Sequence, residues 1–300
     1  MIRTRLNCFK DFECLKGECT ETCCRGWDIS VDGQTYLEYS SLGGDFAEKI
    51  VGNIKKDRSG YRFKNKNGRC PFLNDNGLCD IQSELGEEYL SVVCYNHPRF
   101  FVDFGNDRDI SFSFSCPKVC DLLLGYDGEL GFVKEDDGKV VLNDTDGGKY
   151  LKIKNERDEI FKAVYEYDDE KEFFAKAYSI CGARSKVPRA EKLFKTLARC
   201  KIYNADFRKA VASVVEKADY GGLGLSRGET KRVIFALFFR YYTEIAYYGS
   251  SEKAIDFIYK TIACISALSE ISGVKNALVY FDKEILHDEK NIKKLRRIKI

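Results

Sequence analysis

Thirteen cysteines beside only two histidines, in a chain of 300 residues, concentrate the reactive chemistry of this sequence in thiols. Ten of them, Cys8, Cys14, Cys19, Cys23, Cys24, Cys70, Cys79, Cys94, Cys116 and Cys120, fall within residues 1–120. The inner set is spaced Cys14-x4-Cys19-x3-Cys23-Cys24, then Cys70-x8-Cys79-x14-Cys94, then Cys116. Thiolates bind soft and borderline metals, and four that converge can hold a structural zinc or an iron–sulfur cluster. Buried free thiols are the competing reading, because cysteine packs as a small hydrophobe; the density of cysteines argues against it. Zinc sites usually show paired CxxC or CxxH knuckles, and none is present. The adjacent Cys23 and Cys24 point their side chains apart, which suits a polynuclear cluster slightly better than one metal ion. Zinc stays open as the alternative. Gly17 and Gly26 flank the first group and would let backbone amides point at bound sulfur. Pro71 and Pro117 each follow a cysteine directly.

The rest of the chain narrows the class. Hydrophobic residues make up 44% and charged residues 32%, a globular balance with enough apolar surface for a sizeable core. A net charge of +2 gives no global grip on nucleic acid. The opening MIRTRLNCFKDFEC carries no apolar run of the secretory kind. The longest apolar stretch, Val233–Phe239, is bounded by Arg232 and Arg240, so no membrane insertion is expected. These readings place the chain in the cytoplasm, where clustered cysteines mean metal or redox chemistry before disulfides.

The elements that must position the thiols are short. Asp32 is an N-cap for a helix over Val31–Ser40, and Gly44–Ile54 reads as another. Tyr61–Asn65 suits a strand. Asp80–Val92 carries Ile81, Leu85, Tyr89 and Val92 at helical spacing and reads as one amphipathic helix. Arg99–Phe104 and Asp109–Phe114 flank GND and predict a hairpin, and Pro117 starts a helix over Lys118–Leu124. Gly125–Lys149 reads as a loop and hairpin. Beyond it, helices are expected over Arg157–Cys181, Pro188–Ile202, Phe207–Ala218, Arg227–Tyr248 and Ser251–Ile271. The expected architecture is α+β, mostly α. A cysteine-rich metal-binding module of short helices and hairpins, residues 1–125, joins through a linker, 126–150, to a helical bundle, 151–300.

Three segments carry a resemblance. GECTETCCRGWDISVDGQTY, then CPFLNDNGLCDIQSELGEEYLSVVCYNHPR, then SFSFSCP resemble the flagellin lysine-N-methylase family, and more remotely the cysteine-cluster proteins described as zinc- or iron-chelating. The resemblance is dense over residues 8–125 and looser in the helical half, where SRGETKRVIFALFFRYYTEI is similar in character to a family helix. It implies transfer of methyl groups from S-adenosylmethionine to surface lysines of flagellin, with a [4Fe-4S] cluster. On this sequence the implied ligands lie among Cys14, Cys19, Cys23, Cys24, Cys70, Cys79, Cys94 and Cys116. Four of these would bind one cubane.

No Rossmann-type glycine loop follows a strand; Gly221-Gly222-Leu223-Gly224 reads as a helix-ending turn. There is also no CxxxCxxC triplet. Trp27, the only tryptophan, and Arg99 are the candidates for binding S-adenosylmethionine. Trp27 could instead shield the metal site, and Arg99 could be a structural ion-pair partner. Tyr36, Tyr39, Tyr89, Tyr95, Glu87 and Glu88 could line an ammonium pocket. His97 reads as a loop histidine before it reads as a ligand, and His287 as solvated. Lys290–Lys299 reads as a solvated basic tail. Two other classes stay open: a zinc-stapled interaction module without catalysis, and an iron–sulfur redox or sensor protein.

Overall fold

The computed structural model describes residues 1–58, 60–141, 144–217 and 225–298. In chain order the elements begin with β1 (Ile2–Leu6), β2 (Ser30–Val31), α1 (Gly33–Ser41), α2 (Asp45–Gly52), β3 (Ile54–Asp57) and β4 (Gly60–Phe63). Next come α3 (Asp80–Leu85), α4 (Val92–Asn96), β5 (Arg99–Phe104), β6 (Asp107–Phe112), α5 (Pro117–Leu124) and β7 (Phe132–Asp136). The remainder is helical: α6 (Gly147–Glu166), α7 (Glu170–Ile180), α8 (Ala190–Leu197), α9 (Ala205–Glu216), α10 (Arg227–Tyr248), α11 (Ser251–Ser272), α12 (Val274–Phe281) and α13 (Glu289–Arg297). Among the described residues the protein is mostly helical with two small sheets.

Two compact units result, and they cut the chain at other points than residues 125 and 150. The cysteine unit is Glu13–Pro98 with Ser115–Lys118. The helical unit is Met1–Phe12, Arg99–Phe114 and Val119–Ile300. The first strand and the aromatic hairpin therefore belong with the helices. Their sheet has the order β5-β6-β1-β7, with β1 parallel to β6 and antiparallel to β7. The hairpin turns through Gly105 at φ 56°, a left-handed conformation that glycine adopts without strain. Gly125–Lys149 supplies β7, which pairs with β1 instead of forming its own hairpin.

Two expected helices are broken. Asp80–Val92 ends its first helix at Leu85, because Gly86 takes φ 108°; a 3-10 turn, Glu87–Tyr89, precedes α4. Arg157–Cys181 is interrupted at Tyr167–Asp169, where the Asp169 carboxylate accepts from the Glu172 amide and starts α7. Pro188–Ile202 is helical only over Ala190–Leu197. Helices α10 and α11 hold as read, α10 with a full capping box between Ser226 and Glu229. The Gly221–Gly224 turn, Ala218 and Lys299 lie outside the described residues. Among the described residues no helix is long and apolar enough to cross a membrane.

The helical unit buries charge as well as hydrocarbon. Arg240 of α10 pairs with Asp282 at 2.9 and 3.0 Å, their side chains 5% and 1% exposed. Asp282 opens a π-helical turn, Asp282–Leu286, and also accepts from the Ser113 hydroxyl at 2.6 Å. Such π turns interrupt α-helices at sites under a special constraint. His287 closes that turn. Instead of being solvated, it is 18% exposed, with Nδ1 2.8 Å from the Asp282 carbonyl and Nε2 3.4 Å from the Ser113 hydroxyl.

Burial lowers the His287 pKa; Asp282 opposes that shift and Arg240 adds to it. Between the folded and unfolded values the unfolded chain binds the proton and the buried ring does not. Stability is therefore expected to fall as pH drops below about 6.5, the ordinary imidazole value. Thermal melts on either side of that pH read the slope, and His287→Asn should flatten it.

Candidate metal centre

The cysteine unit is built on a three-stranded sheet, β2-β4-β3, closed by α1 and α2. Its core holds Ile29, Val31, Tyr39, Ile50, Phe63 and Phe72 together with Cys70. Cys24, Cys79 and Cys94 are half-buried hydrophobes packed on the same core, beside Trp27. Four cysteines separated by up to 70 residues of chain are thus gathered onto one apolar surface.

Local chemistry delivers each of them. The Cys70 amide donates to the Cys24 carbonyl at 2.9 Å, which ties the CC pair to the CPFL segment. The loop from Asn74 to Leu78 closes on the Asn74 side chain, which accepts from the Asn76 and Leu78 amides at 3.0 Å each. The Arg69 guanidinium caps the carbonyls of Leu73 and Asn74 at 2.7 and 2.9 Å. This turn sets Cys79 at the start of α3. A Cβ on Gly17 would stand 2.9 Å from the Asn76 carbonyl oxygen, so glycine lets the loop carrying Cys14 and Cys19 approach the 74–78 loop. The Gly26 amide does not face sulfur: it donates to the Gly68 carbonyl at 2.8 Å. In the first group the Lys16 amide lies 3.3 Å from Cys14 Sγ.

Cys94 is delivered from a distance. Asp32 caps α1 through the Thr35 amide at 3.0 Å, as its position in the sequence predicts. Its second carboxylate oxygen also accepts from the Val92 amide at 3.0 Å, the first residue of α4. One side chain therefore starts two helices, and the second carries Cys94. Tyr39 reinforces the link by donating its hydroxyl to the Tyr89 carbonyl at 2.5 Å. Asp32→Ala is expected to cost about 1–2 kcal/mol, the upper range for a lost cap, because two helix starts lose their acceptor. Denaturant unfolding measures it; a loss under about 0.5 kcal/mol would contradict this role.

The thiols sense one another. Burial raises the pKa of Cys70, and the charges of Cys24, Cys94 and Cys79 add to it. Burial pushes Cys94 up to about 12, with Cys24 and Cys79 adding. Cys79 is raised by burial, partly offset by the Gln82 and Ile81 amides at the start of α3. Cys23 is raised by its hydrogen bond with Cys24, by burial, and by the charges of Cys24, Cys94 and Cys14. Thiols that hold each other's protons on are a site that a cation would discharge. Among the described residues, no three His, Cys, Asp or Glu side chains already stand as a metal-holding group.

The other candidates divide between the units. Cys14 is exposed, and Cys19 and Cys116 are half-buried in the cysteine unit. His97 lies edge-on to Trp27 with ring centres 5.5 Å apart, before a cis bond to Pro98. Arg99 lies in the helical unit, its guanidinium 5.3 and 5.8 Å over the rings of Phe12 and Phe112. Tyr39 is buried, whereas Tyr36 stacks on Tyr61 at 3.9 Å, and the Lys56 ammonium rests 5.0 Å over Tyr61. That aromatic face accepts a lysine ammonium within the chain itself. The spacing of residues gave no sign of Asp32's second role, because its partner Val92 is 60 residues away.

Gathered thiols on a small α+β unit, joined in one chain to a helical unit, define a cysteine-cluster protein. Over 120 residues, 38% of the chain, the sequence is 30% identical to the flagellar biosynthetic protein FliU of Salmonella muenchen, covering 71% of that protein. Over 120 residues it is 30% and 31% identical to the lysine-N-methylases of Salmonella typhimurium and Salmonella choleraesuis. The match spans 30% of the length of each methylase. No family model and no solved structure matches. The chain belongs to the flagellin lysine-N-methylase family.

Proposed function

We propose that this protein methylates lysine side chains of flagellin with S-adenosylmethionine, and that its cysteine unit holds a [4Fe-4S] cluster. The observation that carries the reading is the gathering of Cys24, Cys70, Cys79 and Cys94 on one core in a chain related to lysine-N-methylases. These four are the proposed ligands, and their number matches the irons of one cubane. Thiol donors suit iron–sulfur binding, and their mutual electrostatic penalty is relieved when protons give way to metal. A bound cluster would supply an iron centre whose potential follows its hydrogen bonds and burial.

The chain's own residues have two tasks in methyl transfer. They must present the substrate amine neutral, since its lone pair attacks the methyl carbon. The N–C bond forms as the S–C bond breaks, the sulfur leaves as a thioether, and the nitrogen releases its proton. They must also recognise the ammonium first. It gives up one proton to water to become that neutral amine, before the separate proton that the methylated nitrogen releases to water after transfer. The Tyr36–Tyr61 face, over which Lys56 rests, is one aromatic surface in the cysteine unit suited to the second task. Trp27 packs on the thiol-bearing core, a position that suits either shielding of the thiols or contact with the cofactor.

The test is mass spectrometry of flagellin incubated with anaerobically prepared protein and S-adenosylmethionine. Methyl additions on lysine that need both protein and cofactor support the reading. Unmodified flagellin in the presence of iron-loaded protein would overturn it.

A further inference from the structure

The helical unit contains a cavity of about 580 Å³, a size typical of small-molecule sites. It lies among α10, α11 and the end of α13, with Lys186 reaching it from the segment before α8. Five cationic side chains line it against two acidic ones, Glu244 and Asp256. The centre of interest is Lys260. It is 2% exposed and lines the cavity, and its ammonium has no hydrogen bond or ion pair with any of the described residues.

The nearby carboxylate is already engaged. Asp256, one turn earlier on α11, accepts the Tyr178 hydroxyl at 2.6 Å. Its other oxygen is 3.9 Å from Lys186, which also bonds Glu252 at 2.6 Å. Burial lowers the Lys260 pKa, Asp256 opposes that and Lys186 adds to it. A buried ammonium without a partner is costly, and an anion placed against it would remove the cost. Beside Lys260 the cavity offers the ring of Phe257, with the Arg296 guanidinium 5.1 Å above it, and the aliphatic Ile245. Arg297 adds positive charge at the same side.

We propose that this cavity binds a small organic anion, a carboxylate or phosphate carried on a flat apolar body, with the anionic group on Lys260 and the body along Phe257. The assignment is independent of methyl transfer. It rests on charge, burial and volume within the helical unit alone.

Titration calorimetry of the full chain with phenyl phosphate and with 3-phenylpropionate tests it, with benzyl alcohol and inorganic phosphate as the separated halves. At least one organic anion should bind more tightly than either half, and the tighter of the two assigns phosphate or carboxylate. Lys260→Met keeps the side-chain volume and should weaken that binding at least about tenfold, as loss of a charge-assisted hydrogen bond does. Because the substitution removes an unpartnered charge, the melting temperature should hold or rise. Lys253→Met, at an exposed position on the same wall, should change binding less than about threefold. Absence of binding by both organic anions overturns the proposal. So does equal binding by Lys260→Met, or a neutral alcohol that binds as tightly as the anions.

Discussion

Cys94→Ser is expected to lower iron from about four per chain, the content of one cubane, to below about one. Methyl transfer should fall with it, by more than the roughly 100-fold that losing an outer-shell partner of a metal site can cost. The expectation follows from where Cys94 sits. Cys94 is half-buried on the gathered core, its pKa is pushed up to about 12 by desolvation, and the charges of Cys24 and Cys79 bear on it. A hydroxyl in its place cannot form the thiolate bond that iron–sulfur ligation requires. Cys200→Ser serves as the control, because Cys200 lies in the helical unit, outside the gathered set. Iron and sulfide analysis of both variants, with mass spectrometry of flagellin, measures the difference. Full iron content in Cys94→Ser would remove Cys94 from the ligand set.

The second large effect belongs to the buried pair of the helical unit. Arg240→Met should destabilise the protein by about 3–5 kcal/mol, the usual cost of leaving a buried partner charge uncompensated. Asp282 is 1% exposed at its side chain and would keep its hydrogen bond from the Ser113 hydroxyl at 2.6 Å. Burial alone would raise the Asp282 pKa, and Arg240 is the first of the groups that reverse this and hold it low. Without Arg240 the carboxylate must either remain charged in an apolar site or take up a proton. Arg240 also lies 4.2 Å over the Phe100 ring, so the substitution costs packing as well. Removing both charges, as Arg240→Met with Asp282→Leu, should recover part of the loss, since a buried pair is often replaceable by apolar groups. Denaturant unfolding of the single and double variants reads both expectations. A single variant within about 1 kcal/mol of the parent would contradict the buried-pair account.

Much of the helical unit was legible in the sequence, for a physical reason. Helices α10 and α11 have apolar stripes bounded by local caps, Ser226 with Glu229 and Ser250, so a short window of sequence contains their start signals. The hairpin β5–β6 was equally visible because its turn sits between its strands. Strand β1 was not, since its partners begin at Asp107 and Phe132 and no local pattern points to them. The single helix expected over Asp80–Val92 shows the limit of periodicity. Its apolar spacing is helical, yet Gly86 adopts a left-handed conformation, and the chain turns before α4.

The site divides in the same way. The cysteines announced their chemistry by number, and the sequence left eight of them as candidate ligands. Which ones the fold brings onto one core depends on long-range pairing: Cys70 bonded to the Cys24 backbone, Cys79 set by the Asn74 turn, Cys94 set by Asp32. None of these contacts has a sequence period. His287 departs from the solvated position its sequence context suggests for a related reason. It sits in a charged stretch, but the π turn at Asp282–Leu286 rotates it inward onto Ser113 and Asp282. Composition describes a segment's average exposure, and one turn of altered helix reverses it for a single residue.

The cysteine unit as an iron–sulfur centre is the claim on which the proposed function rests. Its most direct test is purification without oxygen, followed by the absorption spectrum and the iron, sulfide and zinc content of the same sample. The account predicts a brown protein with about four iron and four sulfide per chain, as one cubane held by four thiolates requires. A colourless protein with one zinc per chain would contradict it and would make the gathered thiols a structural staple.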